Sequence, residues 1–115
     1  MLVKRFDEAQ PYQAPNHFDM RAVRLQGFEE GGPSNFWVGL SHFLPGGGAG
    51  PDSSPLEKVY VILAGNLTVI AEGEEVVLGP YDSCTIGANV VREVANRGNH
   101  VATMLVVMPY PPKPN

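Results

Sequence analysis

The chain has 115 residues, a length that accommodates one domain but not two. It contains 13 glycines and 11 prolines, a high share of turn-forming residues that favours many short strands over long helices. The net charge of -4, with only 8 lysines and arginines, argues against a nucleic-acid partner, because phosphate binding needs a concentrated basic face.

The first residues lack the apolar core of a signal peptide, and no apolar run approaches the ~20 residues that span a bilayer. The single cysteine, Cys84, has no second thiol for a disulfide or a metal pair, which suits a reducing compartment. We therefore expect a cytoplasmic protein with no membrane partner, and we interpret Cys84 as a core residue.

Apolar runs separated by turn signals predict a series of short strands. The N-terminal region, residues 1–35, contains one clear strand at 20–25, and its prolines argue against a helix. The segment 36–44 is a second strand, which Pro45 and the glycines at 46–48 are expected to end. Further strands are predicted at 57–63, 67–71, 76–78, 83–86, 90–95 and 101–108, and an extended proline-rich tail at 109–115. Turn signals at this spacing indicate one all-β sandwich or barrel domain, 1–115.

Two stretches resemble the sequence motifs of the cupin family. Residues 45–48 and 57–65, PGGG and EKVYVILAG, are similar to the first motif, in which P-G, a His-x-His pair and an acidic residue precede a glycine. Residues 73–82 and 92–96, GEEVVLGPYD and REVAN, are similar to the second motif, which continues with a His and, after three more residues, an Asn. Together the motifs lie within about 36–108. The resemblance implies a double-stranded β-helix (cupin) barrel, jelly-roll-like and commonly dimeric, with its ligand pocket in the lumen.

The resemblance also identifies the positions at which cupins bind a metal ion. Cupins that hold a metal use two His and a Glu from the first motif and one His from the second, and here these positions carry Asp52, Ser54, Lys58 and Arg92. A Zn, Fe or Mn ion needs about three imidazole, thiolate or carboxylate ligands, and Lys58 and Arg92 would repel a cation. A register slip of one residue would make Glu57 the acidic ligand but would still leave the His partners missing. We therefore predict a cupin without a metal or other cofactor.

The altered positions predict a cationic lumen. Because side chains alternate along a strand, Lys58 and Tyr60 share one face, and the family positions place that face and Arg92 in the lumen. Two buried cations need an opposite charge. Either Asp52 supplies it in a purely structural barrel, or a small anionic ligand does.

Our preferred hypothesis is a metal-independent cupin acting on a small carboxylate or enolisable metabolite, as an isomerase, lyase or decarboxylase. The candidate catalytic residues are Lys58, Tyr60 and Asp52, because fixed cations stabilise an enolate and a phenol or carboxylate can carry a proton. Arg92, as a two-pronged clamp, and Ser54 are candidate substrate-binding residues. Two alternatives stay open, a non-catalytic binding or sensing barrel and a structural dimer without ligand. In each case we expect a homodimer.

The three histidines are scattered along the chain. His42 lies in the predicted strand 36–44 and could face the lumen or the outer core, and we count it among the substrate-binding candidates. His17 and His100 lie near turns, and we expect both to be exposed.

Overall fold

The computed structural model describes residues 1–113. Nine strands make up most of this part of the chain: β1 Pro11–Tyr12, β2 His17–Gln26, β3 Phe36–Asp52, β4 Lys58–Ala64, β5 Leu67–Ala71, β6 Glu74–Leu78, β7 Ser83–Ile86, β8 Arg92–Ala95 and β9 Ala102–Pro109. Two short 3₁₀ segments, Phe6–Glu8 and Phe28–Glu30, interrupt the N-terminal third. No helix within 1–113 has the length and apolar character needed to cross a membrane.

The strands pair antiparallel in the order β6-β5-β8-β3-β9-β4-β7, with β2 on β3 and β1 on β2. Strand β3 is central, because its first half pairs with β9 and its second half with β8. This connection lets the sheet curl around a lumen instead of lying flat. The structure thus confirms the predicted all-β barrel.

The predicted end of the strand at Pro45 is wrong, since β3 continues through the glycines to Asp52. Gly46 has a φ of 85°, a left-handed conformation that turns the strand without ending it. At Gly48 an added Cβ would lie 2.3 Å from the carbonyl oxygen of Val94 on the neighbouring strand. The glycines therefore bend β3 and allow close backbone approach, as glycine does in bulges and barrel corners.

The apolar core fills one end of the barrel and leaves the other end hollow. Four side chains from four different strands are almost completely enclosed: Phe43, Ile62, Leu67 and Val94. Beside them Asn96 is buried, and its Nδ2 donates to the carbonyl oxygens of Phe43 and His100 at 3.0 and 2.8 Å. Along β4, Ile62 and Tyr60 both belong to the buried core, and Tyr60 also lines the hollow end together with Lys58 on the same face.

The C-terminal segment begins by packing on its own chain. The hydroxyl of Tyr110 accepts a hydrogen bond from the backbone N–H of Phe28 at 3.0 Å, and the two rings meet edge to face at 4.9 Å. Pro109, the first residue of the predicted extended tail, belongs to β9, and residues 111–113 have no regular secondary structure. The last two residues of that prediction, 114 and 115, lie outside the described residues.

Candidate active site

The hollow end of the barrel contains a cavity of about 250 Å³. Its apolar wall includes Trp37, Val94, Met104, Val106 and Met108. Its polar side chains are Tyr12, Gln13, His17, Arg24, Ser41, Lys58, Tyr60 and Arg92. None of the side chains that line it, within residues 1–113, is a carboxylate. The volume is below the ~300–1,000 Å³ usual for drug-sized ligands, so the cavity suits a small metabolite.

Strand alternation positions the three central polar groups as predicted. On β4, Lys58 and Tyr60 are buried while Val59 between them is 37% exposed on the outer face. On β8, Arg92 and Val94 face inward. The inward-facing side chains inferred from strand alternation are therefore the ones that face inward in the structure. They bring Lys58, Tyr60 and Arg92 into one cavity.

Arg92 is held in a fixed orientation. Its Nε donates to the Tyr60 hydroxyl at 2.8 Å, and its Nη1 donates to the carbonyl oxygen of Gly50 at 2.9 Å. The side chain is buried, yet no carboxylate within residues 1–113 lies close enough to form an ion pair with it. Its positive charge is therefore oriented but not neutralised.

Lys58 is 7% exposed and has no ion pair or hydrogen bond from Nζ to any residue that the structure describes. Burial lowers the pKa of Lys58 from 10.5, and repulsion from Arg92 lowers it further, while attraction to the Asp52 carboxylate offsets part of this effect. A lysine in this environment loses its proton more readily than one in water. It can therefore act as a point charge or as a proton carrier.

Tyr60 accepts from Arg92, but its own hydroxyl proton has no acceptor within the described chain. Burial raises the pKa of Tyr60 above 10.0, and this effect outweighs the lowering by the Arg92 charge and hydrogen bond. The phenol is therefore neutral near pH 7, and its O–H is free to donate to a ligand in the cavity.

His17 lies in the lumen and is only partly exposed, so the prediction that it is exposed is wrong. Its ring stacks on Phe43 at 6.5 Å, and its Nδ1 lies 2.7 Å from the carbonyl oxygen of Pro15. Because a carbonyl only accepts, Nδ1 carries the proton and Nε2 has the lone pair in the neutral ring. Burial lowers the pKa of His17 below 6.5, and repulsion from Arg92 adds to this effect, so the neutral form predominates at pH 7.

Three of the predicted site residues do not line the cavity. Asp52 is exposed, and its Oδ1 accepts from the backbone N–H of Ser53 at 2.8 Å. The hydroxyl of Ser54 is occupied by a local turn, donating to the carbonyl oxygen and accepting from the N–H of Leu56. The internal bridge from Asp52 to Lys58 or Arg92 is absent from the described residues.

The third of these residues, His42, lies on the face of β3 opposite to Ser41, which lines the lumen. Its Nδ1 is 3.1 Å from the Thr103 hydroxyl, and its ring meets Phe6 edge to face at 6.1 Å. The sequence left open whether His42 faces the lumen or the outer side of the sheet, and in the structure it faces the outer side. This follows from alternation along a strand, in which 41 and 42 cannot face the same side.

The four family metal positions do not fit a divalent ion. Two of them are cations, one is a hydroxyl already paired with its own turn, and the remaining carboxylate is exposed. No three His, Cys, Asp or Glu side chains within residues 1–113 come together as a metal site would require. The side chains at these four positions are therefore unsuited to binding a catalytic metal ion.

The sequence did not identify His17 or Arg24 as site residues. Both belong to the N-terminal region, which carries neither family motif, and the pairing of β2 with β3 brings them to the lumen. The segment before β2, Tyr12 to Pro15, covers the same cavity. No local signal could have identified both, because His17 and Arg24 have opposite parity along β2 and a register shift between Phe18 and Met20 separates them.

Comparison with known proteins agrees with the fold. A beta-D-galactosidase of Mycobacterium tuberculosis (strain ATCC 25618 / H37Rv), Rv1717, is 41% identical over 111 residues, which are 96% of each chain. The polyketide cyclase RemF from Streptomyces resistomycificus has the same fold at a TM-score of 0.83 and 17% identity, covering 95% of this chain and 79% of its own. The protein TT1209 from Thermus thermophilus has a TM-score of 0.75 and 25% identity, covering 97% of this chain and 100% of its own.

The sequence model of the cupin domain family matches residues 39–108. This part of the chain contains both motifs and the barrel strands from β3 to β9. Relatives with this fold include proteins named as enzymes. The chain belongs to the cupin family.

Proposed function

We propose that this protein is a metal-independent cupin that binds a small anionic molecule in its lumen and moves a proton on it. The observation that carries the proposal is the unpaired Lys58 beside Arg92 in a cavity lined by no carboxylate among the described residues. Burying uncompensated charge is costly, and a ligand carboxylate entering the lumen would offset that cost. A planar carboxylate also matches the guanidinium of Arg92.

The remaining polar groups suit enolisation, decarboxylation or β-elimination, reactions that build negative charge on oxygen. In this proposal Lys58 and Arg92 stabilise the developing enolate, since fixed cations in a water-poor site act strongly on such charge. The Nε2 lone pair of His17 accepts the proton from carbon, and the neutral Tyr60 phenol donates a proton to oxygen or carbon. Asp52, exposed outside the cavity, has no part in this machinery.

Binding can be tested with pyruvate and acetate as probes and the fluorescence of Trp37, the only tryptophan in the sequence and a residue of the cavity wall, as the signal. Wild-type protein should bind, and the double variant Lys58→Met, Arg92→Met should lose binding. Arg97→Met is the matched control, because Arg97 pairs with Glu75 on the surface. Equal binding by wild type and double variant would refute the anion site.

Catalysis is tested separately from binding. Enolisation in D₂O replaces carbon-bound hydrogens of pyruvate by deuterium, which proton NMR follows directly. Exchange that is faster with wild type than without protein, and lost in His17→Gln, supports an enzyme. Binding without any exchange, decarboxylation or elimination of the probes would support the alternative of a non-catalytic binding or sensing barrel.

Metal independence has its own experiment. Protein purified without chelators is analysed for transition metals and then assayed for pyruvate binding after treatment with EDTA. We expect well below one metal ion per chain and unchanged binding. A stoichiometric Zn, Fe, Ni or Mn ion whose removal abolishes binding would overturn this part of the proposal.

A second candidate function is hydrolysis of a β-D-galactoside, favoured by the relative of that name at 41% identity. Most glycoside hydrolases use two carboxyl groups about 5–9.5 Å apart, and none lines the lumen among the described residues. A Tyr60 nucleophile is the remaining route, but its raised pKa keeps the phenol neutral. Release of nitrophenol from p-nitrophenyl β-D-galactoside by wild type, but not by Tyr60→Phe, would establish this function, and no release would remove it.

A further inference from the structure

Arg24 forms a second positive centre in the lumen, separate from Lys58 and Arg92. Its guanidinium carbon lies 4.0 Å from the ring centre of Tyr12, 4.1 Å from that of Phe28 and 5.1 Å from that of Trp37. Cation–π contacts of this kind favour the charged guanidinium and fix its plane. Arg24 also lines the same cavity as Arg92.

The rings that hold Arg24 are themselves anchored. Tyr12 and Trp37 meet edge to face at 6.0 Å, and Phe28 meets Tyr110 at 4.9 Å with a backbone hydrogen bond to the Tyr110 hydroxyl. The guanidinium is thus preorganised, which lowers the entropy cost of binding a ligand to it.

Aromatic faces do not satisfy the N–H donors in the plane of the guanidinium. Nε and Nη1 of Arg24 are enclosed and have no hydrogen-bond partner among the residues that the structure describes. The nearest charged partner is Glu29, whose Oε2 lies 3.8 Å from Nε, beyond hydrogen-bond distance, on a side chain that is half exposed. Buried donors without acceptors are uncommon in proteins, so the Arg24 guanidinium is an incompletely satisfied cation at the edge of the cavity.

The strand register relates the two positive centres. Arg24 pairs with Gly39 on β3, Gly39 with Val106 on β9, and Val106 with Tyr60 on β4. Tyr60 in turn accepts from Arg92. Arg24 and Tyr60, the hydrogen-bond partner of Arg92, therefore lie in one row of the curved wall, about three strand spacings of ~4.8 Å apart along the sheet, with Gly39 and Val106 between them.

We propose that the lumen recognises a molecule with two anionic groups, one held by Arg92 and Lys58 and the other by Arg24. This inference rests on the proposed anion site and adds the class of its ligand, a small dicarboxylate. The apolar wall between the centres, Trp37 and Val106 among others, contacts the carbon chain that joins the two groups. Arg24 is then a specificity-determining residue, because it distinguishes dianions from monoanions.

The experiment compares the affinity of wild-type protein for succinate, glutarate and adipate with that for butyrate, valerate and hexanoate, by titration calorimetry. We expect at least one dicarboxylate to bind about tenfold or more tighter than its monocarboxylate of equal length. Arg24→Met should reduce that preference to about twofold or less. Arg21→Met, an exposed arginine on the same strand, should keep the full preference.

Glu29→Gln provides a second variant that retains the aromatic clamp. Removing the nearby carboxylate should increase dicarboxylate affinity, since Glu29 competes with the ligand for Arg24. A decrease in this variant, or dicarboxylates that bind no tighter than monocarboxylates to wild type, would overturn the inference while leaving the proposed anion site intact. If neither class binds wild type, the proposed function itself fails.

Discussion

The Nε of Arg92 donates to the hydroxyl of Tyr60 at 2.8 Å, and this bond links β8 to β4 inside the lumen. The pair gives Arg92 its orientation and leaves the phenol proton free for a ligand. The two residues are 32 positions apart in the sequence, so the bond depends on how the barrel closes.

Tyr60→Phe removes this acceptor and leaves a buried guanidinium N–H without a partner. We expect the free energy of unfolding to fall by about 1–3 kcal/mol. Proton exchange on pyruvate should be lost as well. Urea denaturation measures the first effect, and Tyr81→Phe, a change at an exposed tyrosine, is the control. Unchanged stability in Tyr60→Phe would mean that the bond contributes nothing.

Lys58→Met and Arg92→Met should differ in their effect on stability. Lys58 has no partner to lose among the described residues, so replacing its buried charge by an apolar side chain should leave the free energy of unfolding unchanged or increase it. Arg92→Met leaves the Gly50 carbonyl and the Tyr60 hydroxyl unpaired, and we expect a loss of about 1–3 kcal/mol. Thermal and urea unfolding of both variants at neutral pH measure this difference. A loss of stability in Lys58→Met would contradict the prediction.

The lowered pKa of Lys58 also predicts that the free energy of unfolding depends on pH in the alkaline range. Its pKa is lowered in the folded state, so the unfolded chain binds more protons between the folded pKa and 10.5. Stability from this group therefore rises as the pH increases toward 10.5. The difference in free energy of unfolding between Lys58→Met and wild type should shrink over that range, and a constant difference would argue against the lowered pKa.

The lowered pKa of His17 predicts that the free energy of unfolding also rises with pH in the acid range. Its pKa lies below 6.5 in the folded state, so the unfolded chain takes up protons first as the pH falls. The stability contributed by neutral His17 is fully present above 6.5 and is lost as the pH falls toward its folded pKa. His17→Gln should lose less stability than wild type between about pH 7.5 and about pH 5.5, whereas His100→Gln, at an exposed position, should behave as wild type.

A homodimer stays a prediction of the family resemblance. The exposed apolar side chains of Leu2, Val3 and Phe6 in the N-terminal region are consistent with a contact surface. Analytical ultracentrifugation at micromolar concentration should show a dimer, and Phe6→Glu should shift it toward monomer. A wild-type monomer under these conditions would refute the prediction.

The sequence alone was sufficient for most of the strands and for the inward face of β4 and β8, but not for β1 or the second half of β3. Alternation is a local property, so Lys58, Tyr60 and Arg92 could be placed in the lumen by counting from the motif residues Gly65 and Asn96. The same local reasoning failed at Pro45, because turn residues inside one long bent strand look like residues that end a strand.

The tertiary structure decided the character of the site beyond those three residues. Asp52 was counted into the lumen from its position in the first motif, but it lies in an exposed stretch just before a turn that no periodicity constrains. His17 and Arg24 come from strand β2, whose register on β3 involves long-range pairing that local patterns do not encode. The sequence determined where the cations of the two motifs point, and only the closed barrel decided that no carboxylate of the described chain lines the cavity with them and that a third cation does.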